Sequence, residues 1–147
     1  MPRGTETLLL VEDEPSVRHL ASNVLQAQGY NVLRANNGED GLRVAREYKQ
    51  PLPLVITDVM MPHMGGKEMA EALQAIHPSV KVLFTSGYTD EKLARVGVGA
   101  NCFIPKPYHP AQLTDAIRSV LDGTIPSRWR TESVVPISMS AGPPSSA

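Results

Sequence analysis

The sequence predicts an α/β fold, a doubly wound (βα)5 unit built on a parallel five-stranded sheet. Short apolar runs such as Leu8–Val11, Leu54–Ile56 and Cys102–Ile104 have the length and content of strands buried on both faces. Between such runs lie stretches with apolar residues at helical spacing, so strand and helix patterns alternate along the chain. Acidic, hydroxyl or ammonium groups follow four of the runs, and in an open parallel sheet such loops share one edge.

The first unit is strand, acid cluster, helix. Leu8–Val11 ends in Glu12-Asp13-Glu14, and Pro15 suits the first helical turn, where its missing N–H costs nothing. Val17, Leu20, Ala21, Val24 and Leu25 fall on one helical face, and Gly29 closes the helix. Residues 32–35 make a shorter second strand. Asn36-Asn37-Gly38 is a turn in which Asn37 caps a helix carrying Leu42, Val44, Ala45 and Tyr48. Pro51 and Pro53 close that helix before the third strand, Leu54-Val55-Ile56, which carries Asp58 out at its end.

Pro62 and Gly66 turn the chain into a third helix with Met69, Ala72, Leu73 and Ile76 on its apolar stripe, stopped by Pro78. Val80–Phe84 is the fourth strand, running into Thr85-Ser86-Gly87; residues 90–96 suggest a short fourth helix ahead of Gly97 and Gly99. Cys102-Phe103-Ile104 is the fifth strand, followed by Pro105-Lys106-Pro107. The last helix presents Leu113, Ala116, Ile117, Val120 and Leu121, and ends near Asp122-Gly123. Residues 124–147 change character: six of these 24 are Ser and four are Pro, the composition expected of a disordered tail after a domain spanning 1–123.

A chain of 147 residues holds one domain of ordinary size and a short extension. Fourteen basic against fifteen acidic residues leave a net charge of -1, with no basic field for nucleic acid or anionic lipid. The single cysteine, Cys102, makes no internal disulfide and reads as a small buried hydrophobe in a reducing compartment. The apolar stretch before Glu12 is too short for a signal-peptide core, and no segment approaches the roughly 18 apolar residues of a membrane span. The expectation is a soluble, cytoplasmic chain that contacts neither nucleic acid nor membrane.

Glu12 and Asp13 follow the first strand, Asp58 ends the third, Ser86 the fourth and Lys106 the fifth. Taken singly, each has a plain reading: a helix-capping acid run, a turn aspartate, a turn serine, a solvated loop lysine. Together, at matching ends of four strands, they suit phosphoryl transfer. Two carboxylates about 4 Å apart repel by about 1 kcal/mol in water and about 4 kcal/mol at an effective dielectric of 20. A hard divalent cation removes that cost, and oxygen ligands with open water positions suit Mg²⁺. Lys106 adds a fixed positive charge opposite, making a pocket for a dianionic phosphoryl group.

These residues resemble the receiver domain of two-component response regulators over roughly 5–123. The matching segments are VED at 11–13, TDVMMPHMGG at 57–66, TSG at 85–87 and FIPKPY at 103–108, with Pro four and Gly eight residues after Asp58. SGYTDEK and IPKPY are most similar to receivers attached to hybrid sensor histidine kinases. The resemblance implies a flavodoxin-like sheet of order 2-1-3-4-5. It implies Asp58 as phosphoacceptor from a phosphohistidine on a cognate histidine kinase or histidine phosphotransfer domain. It implies Mg²⁺ held by Asp13, Asp58 and the Met60 backbone carbonyl, with Glu12 acting through water. Lys106 would pair with phosphoryl oxygens, its peptide to Pro107 being cis. Ser86 would be the switch hydroxyl and Phe103 the switch aromatic, which lacks a hydroxyl and so moves without hydrogen bonding.

The metal and Lys106 would then neutralise the phosphoryl group during in-line transfer, so the receiver catalyses its own modification without being a conventional enzyme. The new charge would bias a surface made of the fourth helix, fifth strand and last helix, toward a downstream protein or a second copy. The chain reads either as a stand-alone relay or as the excised receiver of a hybrid kinase. A degenerate receiver working by contact alone is disfavoured by the intact Asp13, Asp58 and Lys106. A haloacid-dehalogenase-like phosphatase needs a second Asp where Met60 stands. Gly97-Val98-Gly99 lacks the context of a dinucleotide loop, His63 has no second His nearby, and no GxxxxGK[ST] sequence binds ATP.

Overall fold

The computed structural model describes residues 3–61, 63–86, 102–106 and 108–123. β1 (Thr7–Val11), β2 (Asn31–Ala35), β3 (Leu54–Asp58), β4 (Lys81–Ser86) and β5 (Cys102–Pro105) pair in parallel as one sheet. Their order is β2-β1-β3-β4-β5, the order that the sequence resemblance implied. Strand residues alternate between two cores. Leu9, Val11, Val55, Val82 and Phe84 face α2 (Gly38–Glu47) and α3 (Gly66–Ile76). Leu8, Leu10, Leu54, Ile56, Leu83 and Ile104 face α1 (Pro15–Ala27) and the C-terminal helix (Pro110–Asp122). Burial on both faces is why β1 and β3 read as continuous apolar runs rather than alternating ones.

Helix ends follow the local signals. Pro15 opens α1, and Asn37 accepts a hydrogen bond from the Asp40 N–H at 2.8 Å to cap α2. Past α1, Gly29 takes φ 104°, and a side chain there would meet the Gly4 carbonyl oxygen at 2.3 Å. Two residues predicted on apolar stripes face outward: Leu20 is 62% exposed, and Ala72 of α3 is exposed while Ala70, two residues earlier, is buried. The buried arc of α1 centres on Ala21, Ser22 and Leu25, which leaves Leu20 at the far edge of the apolar stripe.

The register sets up the functional edge. Val11 pairs with Thr57, Asp58 with Thr85 and Ser86 with Pro105, so the carboxyl ends of β1, β3, β4 and β5 are neighbours. The predicted helix over 90–96, the Lys106-Pro107 peptide and the tail 124–147 lie outside the described residues. Among the described residues, no helix is long and apolar enough to cross a membrane.

Candidate functional site

Two strands deliver three acids to one point: Glu12 and Asp13 follow β1, and Asp58 ends β3. Carboxylate atoms of Glu12, Asp13 and Asp58 all lie within 4.8 Å of one another. Lys106, at the end of β5, sends its Nζ between two of them, donating to Glu12 Oε1 at 2.8 Å and to Asp58 Oδ2 at 2.8 Å. The lysine is 94 residues from Glu12 in sequence and 48 from Asp58, so only the parallel register brings them together.

The members differ in how they are held. Glu12 is buried, and its Oε2 also accepts from the Glu14 N–H at 3.1 Å. Asp13 is exposed and makes no hydrogen bond or ion pair among the described residues. Asp58 is partly exposed, and its Oδ1 accepts from the Met60 N–H at 3.2 Å. Burial pushes the Glu12 carboxyl up, an effect that the Lys106 ammonium only partly offsets. For Lys106 burial opposes the charge, but hydrogen bonds to Asp58 and Glu12 prevail and raise its pKa. Beside them, burial followed by the Glu12 charge pushes the Tyr108 phenol up.

Spacing after Asp58 is dictated by backbone contact. The Gly66 N–H donates to the Val59 carbonyl at 2.8 Å, and a Cβ on Gly66 would lie 2.1 Å from the Asp58 carbonyl oxygen. Any side chain at 66 therefore pushes α3 off the strand end that carries the acid. Within the intervening loop His63 takes φ 71°, a left-handed conformation uncommon for a residue with a Cβ. Met60 is 47% exposed at the mouth.

Of the residues singled out from the sequence, Glu12, Asp13, Asp58 and Lys106 converge at one rim. Ser86 and Phe103 occupy the end of β4 and the middle of β5; their side chains lie outside the described set, as does Pro62. Sequence reasoning missed Arg18, whose Nη1 donates to the Glu12 main-chain carbonyl at 2.7 Å. The available signal was a basic residue one turn into the helix that follows an acid cluster.

Comparison with known proteins decides the family. The response regulator receiver domain profile matches residues 8–118. The chain belongs to the response regulator receiver domain family. This receiver is 36% identical over 122 residues to the sensor kinase CckA of Brucella abortus, covering 81% of this chain and 13% of that kinase. It thus spans a small fraction of that relative's length. A crystal structure of the receiver domain from the hybrid histidine kinase CckA superposes with a TM-score of 0.67 at 34% identity, covering 78% of this receiver and 98% of that domain. The chemotaxis protein CheY4 of Vibrio cholerae gives a TM-score of 0.71 at 29% identity, covering 80% and 99% of the two chains. The chain is a receiver domain of two-component systems, related to a hybrid-kinase receiver, with an acidic cluster at its site.

The cluster suits a hard cation. All three donors are carboxylate oxygens, they crowd within 4.8 Å, and one of them, Asp13, is exposed.

Proposed function

We propose that Asp58 accepts a phosphoryl group from a phosphohistidine on a partner histidine kinase or phosphotransfer domain. The observation that carries the reading is Lys106 Nζ bridging Glu12 and Asp58 at 2.8 Å each, beside the exposed Asp13. An Asp58 carboxylate oxygen forms a bond to phosphorus as the P–N bond breaks, and the electron pair returns to the imidazole nitrogen. Lys106 is tethered next to the reacting oxygen and can pair with the phosphoryl oxygens, supplying fixed charge at no reorganisation cost. Asp13 and Asp58, the Met60 carbonyl and, through water, Glu12 are the groups that would hold Mg²⁺. When bound, the cation offsets the negative charge that gathers as acids and phosphoryl group approach.

Ser86 at the end of β4 and Phe103 in β5 are proposed as the switch pair reading the phosphorylated state. The outcome would pass to a downstream protein or a second copy across the surface of the segment over 90–96, β5 and the C-terminal helix. A groove of about 400 Å³ between α1 and the C-terminal helix runs beside Lys106 and is lined by Val17, Leu20, Val24, Tyr108 and Pro110. It offers the incoming histidine-bearing partner an apolar seat next to the acceptor. We place the receiver unit at 1–123, in a cytoplasmic setting, and read it as a relay or as the receiver part of a hybrid kinase.

Incubation with Mg²⁺ and acetyl phosphate should add one phosphoryl group by intact mass, removable by hydroxylamine. Asp58→Asn should remain folded and take no label. A wild-type chain that stays unlabelled at saturating Mg²⁺ overturns the reading and favours a receiver that works by contact alone.

A further inference from the structure

Glu12 is held at four points. Its main-chain N–H donates to the Ala35 carbonyl at 3.2 Å, and its carboxylate accepts from Lys106 at 2.8 Å and from the Glu14 N–H at 3.1 Å. The fourth point is its own carbonyl, which accepts from Arg18 Nη1 at 2.7 Å. Glu12 stands beyond the β1 ladder and is only 3% exposed, so without Arg18 this carbonyl would be a buried acceptor with little access to water. Arg18 is half-buried on α1.

The charge of Arg18 also reaches Asp40 at the start of α2. There burial pushes the carboxyl up, hydrogen bonds from Arg43 and the Asn36 N–H outweigh it, and Arg18 adds to the lowering. Arg18 reaches the acid rim from α1, whereas Lys106 enters from the β5 flank. The two cations grip the same residue through different groups, one by the carbonyl and one by the carboxylate.

The pinned carbonyl belongs to the peptide that joins Glu12 to Asp13. That unit is planar, so fixing the C=O fixes the N–H and the Cα of Asp13 as well. Asp13 has no side-chain partner of its own among the described residues, and its direction is set from its backbone. We propose that Arg18 is a positioning residue for the cation site, aiming Asp13 by holding the Glu12 carbonyl. The proposal rests on reading the rim as a Mg²⁺-dependent phosphoacceptor.

Electrostatics alone predicts the opposite sign. Removing a positive charge near three carboxylates should tighten cation binding, whereas loss of positioning should weaken it. Mg²⁺ affinity is read by calorimetric titration of the full chain, with circular dichroism melts checking the fold. Arg18→Met should bind Mg²⁺ roughly tenfold more weakly, the usual scale for removing a group that orients a ligand. Its acetyl phosphate labelling should need more Mg²⁺ yet reach the wild-type rate at saturation. Arg18→Lys, which keeps one donor and the charge, should bind within about threefold of wild type and keeps the test readable if Arg18→Met fails to fold.

Unchanged or tighter Mg²⁺ binding in folded Arg18→Met overturns the positioning role, as does a labelling rate that stays low at saturating Mg²⁺. A tenfold loss in Arg18→Lys overturns it too. A wild-type chain that neither binds Mg²⁺ nor takes label overturns the phosphoacceptor reading itself, which the variant comparison does not touch.

Discussion

The two ends of the sheet carry similar charges and treat them in opposite ways. At the end where β1 begins, Arg118 donates to both carboxylate oxygens of Glu6, at 3.2 and 2.8 Å, and to Asp122 at 3.0 Å. That fork also reaches the Arg3 carbonyl, tying the N-terminal segment to the C-terminal helix. At the end where β1 finishes, one ammonium serves two of three acids, and the third has no partner among the described residues. The consequences for the carboxyls differ in sign. The Arg118 hydrogen bonds hold Glu6 below its ordinary range, whereas burial pushes Glu12 above it. The first end is a satisfied clamp. The second is a deficit of positive charge among the described residues, the setting that the proposed cation and phosphoryl transfer require.

Three substitutions sharpen or break this contrast. The largest effect is expected for Gly66→Ala, whose new methyl meets the Asp58 carbonyl oxygen at 2.1 Å. Helix α3 must shift, at a cost of about 3 kcal/mol, the upper range for overpacking, and labelling of Asp58 should fall with it. A variant with wild-type melting temperature and labelling would show that α3 absorbs the methyl without disturbing the strand end that carries Asp58.

Glu12→Gln comes next and should separate stability from function. A carboxyl raised on folding contributes stability that is present below its unfolded value, about 4.3, and is lost as pH rises through the folded value. The neutral amide lacks that loss, so the variant should melt at or above the wild-type temperature at pH 7. Its Mg²⁺ affinity should nonetheless drop roughly tenfold. Thermal melts and calorimetric titration check both halves, and a clear fall in melting temperature at pH 7 contradicts the assigned cause.

The smallest effect belongs to the clamp. Glu6 is depressed, so its contribution is present above about pH 4.3 and is lost as pH falls through the folded value. Glu6→Gln should lower stability by about 0.5 kcal/mol near neutrality, as expected for a partly exposed ion pair. The gap to wild type should close in acid. A gap independent of pH would mean that Glu6 acts by packing rather than by charge.

The strand and helix pattern was readable because each local signal had one reading consistent with its neighbours. Leu8–Val11 and Leu54–Ile56 are too short and too uniformly apolar for surface elements, and Pro15, Asn37 and Gly29 stand where helix ends need them. The convergence of the acids and Lys106 was legible because parallel strands send their following loops to one edge. Gly66 was legible as a turn, but its contact with the Asp58 carbonyl was not, since the clash lies between backbones eight residues apart.

Linear patterning told nothing of which acid is buried, which is open, and which cation grips which atom. Periodicity put Leu20 on the apolar stripe of α1, whereas the packed helix turned that edge outward. Burial of Glu12 against Lys106, exposure of Asp13 and the reach of Arg18 to a main-chain oxygen depend on distances across strands and helices. A residue's type and spacing specify which edge it reaches. Its solvation and charge environment are set by neighbours from other elements, which exist only once the sheet has closed its register.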